Sequence, residues 1–229
     1  MSENTEAHLG GCPQGGDPGT WYPELWQWIH NELGVRSVLD VGCGEGYSTR
    51  FFKTLGCDVL GIDGYTQAKR NSVIPDFHVT HDFCTGPYIP SRAYDLVWCC
   101  EFVEHVEEKH AKNFLKTFGC SGKYIIMTHA VPGQGGHHHV NCQNDYYWML
   151  KLCEIGFRVS FRLSLQARRL SHGYYRVSGL VFVKDPSITT KPIQKCLYKT
   201  EIFLAHVGYQ ILQKCGPLRA LVKRVINLS

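Results

Sequence analysis

The chain's 229 residues, 44% of them hydrophobic and 19% charged with a formal net charge of +4, suit one domain with a full core and a modest appendage. No run of about 18 apolar residues is present, which excludes a bilayer-spanning helix. Eleven cysteines, an odd number set mostly in apolar runs and without a C-x-x-C pair, argue for reduced core thiols over a disulfide framework or a four-thiolate zinc site.

Residues 1–19, MSENTEAHLGGCPQGGDPG, carry early acids and no apolar stretch, so no secretory signal is expected and the segment reads as a mobile lead-in to a domain over residues 20–185. WYPELWQWIHNEL (21–33) predicts an aromatic-rich helix over a sheet edge or a ligand cleft. Short apolar runs follow, RSVLDVG (36–42), DVLGID (58–63), DFHVT (76–80), YDLVWCC (94–100) and KYIIMTH (123–129), spaced to leave a crossover helix between most of them. Near-continuous apolar strands of this kind predict a parallel sheet covered on both faces. One helix is expected from near Cys100 and another from near Asp145. FRVSFRL (157–163) and YYRVSGLVFVK (174–184) read as adjacent strands joined by an arginine-bearing loop, so the doubly wound α/β sheet ends in a hairpin.

A basic extension, 186–229, holds seven Lys/Arg against one Glu, and the body before it is slightly acidic. That balance argues against broad electrostatic binding of nucleic acid by the main domain. The extension reads as two helices broken at Cys215-Gly216-Pro217. In the second, Leu218, Leu221, Val222, Val225 and Ile226 form an apolar stripe beside Arg219, Lys223 and Arg224, suited to packing on the domain or to touching a membrane or partner.

VLDVGCGEGYSTRFF (38–52) is strand, glycine turn and helix, a cradle for a nucleotide at a helix N-terminus. Asp40 stands two residues before the turn, Asp63 ends the next strand where a ribose diol wants a carboxylate, and Asp82-Phe83 ends the third where an adenine wants an acceptor and an apolar shelf. A dinucleotide-binding fold is the alternative, but the G-x-G-x-G spacing of Gly42, Gly44 and Gly46 counts against it. With GIDG, HDFCTG and YDLVWCCEFVEH in the same order, the chain resembles the class I S-adenosylmethionine-dependent methyltransferases over roughly residues 21–184. The resemblance implies a Rossmann-like seven-stranded sheet in the order 3-2-1-4-5-7-6 with the last strand antiparallel. It also implies that Asp40, Gly42 and Gly44 line the methionine moiety of S-adenosylmethionine, Asp63 with Gly64 holds the ribose, and Asp82 and Phe83 meet the adenine.

CCEFVEHVEEKH (99–110) sets Glu101, Glu104 and His105 at i, i+3 and i+4, so a helix from Cys100 would put all three on one face. They suit either an acidic helix start or a divalent-cation site that needs one more ligand. GGHHHVNCQNDYYW (135–148) offers it, with His137 and His139 pointing one way if extended and His138 the other. E-x-x-E-H followed by a loop histidine resembles the metal-binding set of the small-RNA 3′-terminal 2′-O-methyltransferases, and its first half that of the ubiquinone-pathway catechol O-methyltransferases. The resemblance implies Glu101, Glu104, His105 and His139 as ligands of Mg²⁺ or Mn²⁺, with Zn²⁺ as the alternative. GQGGHHHVNCQ is similar to methyltransferases encoded near glycan-building genes of large DNA viruses and phages, including those that methylate rhamnose, and implies a cytoplasmic protein, in the host cytoplasm if viral.

All three relatives act on adjacent hydroxyls. A cation bound to a diol lowers one hydroxyl's pKa and fixes its direction, and His139, His138 or His105 is placed to take the proton. The expected activity is O-methylation of a vicinal diol, first on a rhamnose-type sugar of a glycan, with S-adenosylhomocysteine as product. An RNA 3′ end, a catechol or quinone precursor, and a non-catalytic scaffold holding structural zinc are the alternatives. Trp21, Tyr22 and Trp26 and the segment RRLSHGYYR (168–176) are candidates to cover the acceptor.

Overall fold

Strands form at the apolar runs: β1 (Ser37–Val41), β2 (Asp58–Asp63), β3 (His78–Thr80), β4 (Tyr94–Cys99), β5 (Ser121–Met127), β6 (Phe157–Val159) and β7 (Leu180–Lys184). The computed structural model describes residues 8–190 and 198–203, and in it these strands make a seven-stranded sheet in the order β3-β2-β1-β4-β5-β7-β6. β1 to β5 pair in parallel, and β7 is antiparallel to both β5 and β6. The fold class and strand order expected from the sequence are those observed.

Around the sheet lie α1 (Pro23–Asn31), α2 (Tyr47–Thr54), α3 (Thr66–Arg70), α4 (Ala111–Phe118), α5 (Asp145–Glu154), α6 (Phe161–Arg169), α7 (Gly173–Ser178) and α8 (Pro186–Thr190). Alternation along each strand divides the core in two. Val38, Leu96, Trp98, Ile126 and Val181 meet Trp26, Ile29, Phe52, Ala167 and Tyr175 on one face. Leu39, Val97, Cys99, Ile125 and Phe182 meet Phe114, Phe118, Trp148 and Leu152 on the other. Burial of both faces is why the strands read as continuous apolar runs. The nine described cysteines are all free thiols, as their apolar settings imply.

Two expectations need correction. No α-helix starts near Cys100. Glu101 takes a left-handed φ of 50° with its N–H on Thr128 Oγ1 (2.7 Å), and only a 3₁₀ turn, Val103–His105, follows. Phe102 causes the break, because its ring is drawn inward to cover Gly42 and stand 5.5 Å from Phe83. Secondly, the arginine-bearing loop is helical. β6 stops after three residues, Ser160 Oγ caps α6 by accepting the Leu163 N–H, and Tyr175 anchors α7 by stacking on Trp98 at 5.7 Å and 4°.

Residues 8–20, most of the segment read as a mobile lead-in, lie against the domain as part of the cleft wall. His8 Nε2 meets Asp82 Oδ2 at 3.0 Å, the Gly15 N–H donates to Glu45 Oε2 at 3.0 Å, and Tyr22 Oη donates to the Gly19 carbonyl. Gly10, Gly11, Gly15 and Gly16 all have positive φ, which lets the strap follow the surface closely. Of the extension beyond residue 185, α8 and the helical residues 198–203 are described, and the amphipathic stretch 218–226 and the 215–217 break lie outside the described residues.

Candidate active site

The parallel strands end on one edge of the sheet, where a cleft of about 580 Å³ opens between the glycine turn, the strap, the 101–106 turn and the 134–139 loop. At its donor end Gly42, Gly44 and Gly46 have φ of 75°, 54° and 89°, a path closed to most side chains. A Cβ at Gly44 would lie 2.6 Å from Cys12 Sγ of the strap, and one at Gly42 would overlap Phe102.

The acids around the turn do different work. Asp40 is 1% exposed, and its Oδ2 accepts the Ser48 and Thr49 hydroxyls at 2.6 Å each, tying the first turn of α2 to β1. Burial raises its pKa to about 6 against those hydrogen bonds. Asp63 accepts the Gly44 and Tyr65 N–H groups, both at 2.8 Å, so it shapes the turn as well as facing the cleft, and burial pushes its pKa up. Gly64 follows it, covered by Leu9 of the strap. Burial would raise the Asp82 pKa too, but the Cys84 N–H and the His8 imidazole outweigh it and hold the carboxyl below its ordinary value. Phe83, 3% exposed, lies beside it.

At the other end Glu104, His105 and His139 converge, each with a possible ligand atom within 4.8 Å of the others. Glu104 is fully buried and neither carboxylate oxygen has a hydrogen-bond partner; Glu101 Oε1, also buried, has none. Burial, then the Glu101 carboxylate, raises the Glu104 pKa to about 8, and burial raises that of Glu101 as well. His105 Nδ1 sits 2.8 Å from the His137 carbonyl and His139 Nδ1 3.1 Å from the Gln134 carbonyl. A carbonyl can only accept, so both rings donate from Nδ1 and turn Nε2 away from these bonds. Burial, then the His139 ring, lowers the His105 pKa to about 4, which keeps that ring neutral. The Glu104 carboxylate and one Glu101 oxygen without partners, beside two imidazoles held at Nδ1, make a donor set that suits a divalent cation.

The backbone makes this possible without the expected helix. The Glu104 carbonyl accepts the Val140 and Asn141 N–H groups, clamping the 134–141 loop onto the 3₁₀ turn. Of the three consecutive histidines, His139 joins the cluster. His137 turns to the strap, its Nε2 donating to the Leu9 carbonyl at 3.3 Å. His138, with a φ of 45°, stands away from the cluster, its ring centroid 6.4 Å from that of His8. Trp21 and Tyr174, each more than a third exposed, line the cleft mouth, whereas Tyr22 is buried beneath it and Trp26 reaches the cleft only from the core. Within 168–176, Tyr174 is the residue that lines the cleft. Sequence reasoning missed His8, Leu9 and Cys12 of the strap, for which the four glycines were the available signal, and Thr128, for which there was none.

Several proteins resemble this chain. Ubiquinone biosynthesis O-methyltransferase from Paraburkholderia phytofirmans is 36% identical over 101 residues, which span 39% of this chain and 42% of that protein. The chain thus matches less than half the length of this relative. Among solved structures, the O-methyltransferase of a trans-AT polyketide synthase from Brevibacillus brevis, in complex with S-adenosyl-L-homocysteine, aligns with a TM-score of 0.54 at 14% identity, covering 79% of this chain and 76% of that one. Magnesium protoporphyrin IX methyltransferase from Synechocystis, also with S-adenosyl-L-homocysteine bound, aligns with a TM-score of 0.53 at 14% identity, covering 70% and 80%. Both share the fold seen here. The profile of the family described as "Methyltransferase domain" matches residues 16–163, well over half the chain, and the chain belongs to that family.

Proposed function

We propose that the chain is an S-adenosylmethionine-dependent O-methyltransferase acting on one hydroxyl of a vicinal diol, with a divalent cation held by Glu101, Glu104, His105 and His139. The observation that carries this reading is the buried Glu104 carboxylate without a partner, beside two imidazoles whose Nδ1 atoms are already engaged. Bound there, Mg²⁺ or Mn²⁺ would supply a charge that makes a neutral hydroxyl acidic enough to attack. The donor brings an electrophilic methyl group, and transfer to the acceptor oxygen leaves S-adenosylhomocysteine.

The chain's residues bind and orient. Gly42 and Gly44 allow the methionine moiety to approach the backbone, Asp63 accepts from the ribose hydroxyls, and Asp82 and Phe83 receive the adenine. With His105 and His139 holding the cation and His138 standing away from the cluster, none of the three is left free at the acceptor, and His137, which lines the cleft, is the further imidazole able to take the proton.

For the acceptor, Trp21 and Tyr174 at the mouth offer aromatic faces of the kind on which a sugar ring stacks, and a rhamnose-type sugar of a glycan is the first reading. A catechol is the second, favoured by the 36% identity to the ubiquinone-pathway relative. An RNA end fits poorly, since the body before residue 186 is slightly acidic.

The test is methyl transfer from labelled donor to rhamnose-, fucose- and xylose-terminated oligosaccharides, catechols and RNA 3′ ends, with EDTA and with added Mg²⁺ or Mn²⁺. Cation-dependent labelling of a diol supports the reading. Glu104→Ala is expected to abolish transfer and leave donor affinity nearly unchanged, and a fully active variant would refute the metal site.

A further inference from the structure

The connection between β6 and β7 is 20 residues long and consists of α6 and α7. β6 runs in the same direction as β5, because both are antiparallel to β7, so this insertion leaves the sheet at the edge where the cleft opens. Ala167 and Tyr175 bury one side of each helix against the same sheet face. Their outer sides are apolar: Phe161 is 50% exposed, Leu165 39% and Val177 64%, and Tyr174 at the cleft mouth belongs to the same insertion. Phe161, Leu165 and Arg169 follow one another at i, i+4 and i+8 on α6.

Charge on this surface has one sign. From Phe157 to Lys184 there is no Asp or Glu, against five arginines and a lysine. Arg168 is engaged with Asp145 and the Gly179 carbonyl, and Arg158 with Asp185. The exposed guanidinium groups of Arg162, Arg169 and Arg176 have no partner among the described residues. Of the acids beside the insertion, Asp145 pairs with His129 and Arg168, and Asp17 accepts the Gly19 N–H.

We propose that the outer face of α6 and α7 docks on an anionic lipid bilayer, with Phe161, Leu165 and Val177 entering the interface and Arg162, Arg169 and Arg176 meeting lipid phosphates. Unpaired arginines flanking large exposed apolar side chains are the pattern of an interfacial helix. A nucleic acid would reward the arginines and leave the apolar groups without a role. Docking in this way sets the Trp21–Tyr174 mouth against the bilayer surface, and, resting on the reaction proposed above, selects an acceptor diol carried on a lipid.

The experiment is co-sedimentation of the full chain with phosphatidylcholine vesicles, with and without phosphatidylglycerol. The wild type, R162E/R169E/R176E and F161S/L165S/V177S are compared, with circular dichroism and donor calorimetry as checks on folding. Selective binding of the wild type to anionic vesicles is expected, weakened on the order of a hundredfold by the arginine triple. The serine triple should lose binding as well, and both variants should keep donor affinity and transfer to a soluble diol. Equal binding by wild type and variants, as would follow from attachment through the basic extension, overturns the proposal. So does binding of single-stranded RNA but not vesicles. If vesicles bind as expected but no diol is methylated, the reaction assignment falls and the docking surface stands.

Discussion

Single side chains here are set by what surrounds them more than by their own chemistry. Glu104 is held near a pKa of about 8 by burial and by Glu101, so at neutral pH it retains a proton that a cation, if bound there as proposed, would displace. Titration with Mn²⁺ in buffers of different ionisation enthalpy is therefore expected to show proton release, with affinity rising as pH approaches about 8. His78 shows the opposite shift. It lies under the glycine turn, 5% exposed, with Nδ1 2.9 Å from Ser72 Oγ, and burial followed by the Lys69 charge lowers its pKa to about 4. An unfolded histidine titrates near 6.5, so between these values the unfolded chain binds a proton that the folded chain refuses, and stability falls as pH drops through that window, by at most about 3 kcal/mol. Urea denaturation at neutral and mildly acidic pH should show this loss, and His78→Gln should flatten it.

At the scale of elements, the 134–139 loop works because Gly136 leaves room for the His139 ring; a Cβ there would collide with it. Gly136→Ala should move that imidazole and weaken cation binding by about 10- to 100-fold while leaving donor affinity intact, as calorimetry with each ligand would report. Much at this scale was legible in advance. β2 spans the residues its apolar run marks, and α5 starts at Asp145 as expected. The helix used to argue the Glu101, Glu104 and His105 grouping is absent, and a 3₁₀ turn clamped by Val140 and Asn141 brings Glu104 and His105 to His139 while Glu101 lies outside that cluster. What stayed hidden depends on distant partners. YYRVSG reads as a strand from its β-branched and aromatic residues, yet Tyr175 is committed to α7 by a ring, Trp98, that lies 77 positions earlier.

For the whole molecule, the strap joins both ends of the cleft. His8 takes Asp82 at the donor end, and the Leu9 carbonyl takes His137, whose own carbonyl orients His105. Donor binding should then protect residues 9–16 from limited proteolysis, and His8→Ala should speed donor release as read by stopped-flow fluorescence.

The place of β7 carries a different consequence. It is the last strand among the described residues, yet it fills the gap between β5 and β6, so nascent protein must hold two strand edges apart until residues 180–184 have been made. Chains ending before that point offer β5 an open hydrophobic edge to one another, and clumping rather than partial activity is what such truncations should yield. Because α6 and α7 precede β7, that wall of the cleft is made before the strand that completes the sheet beneath it.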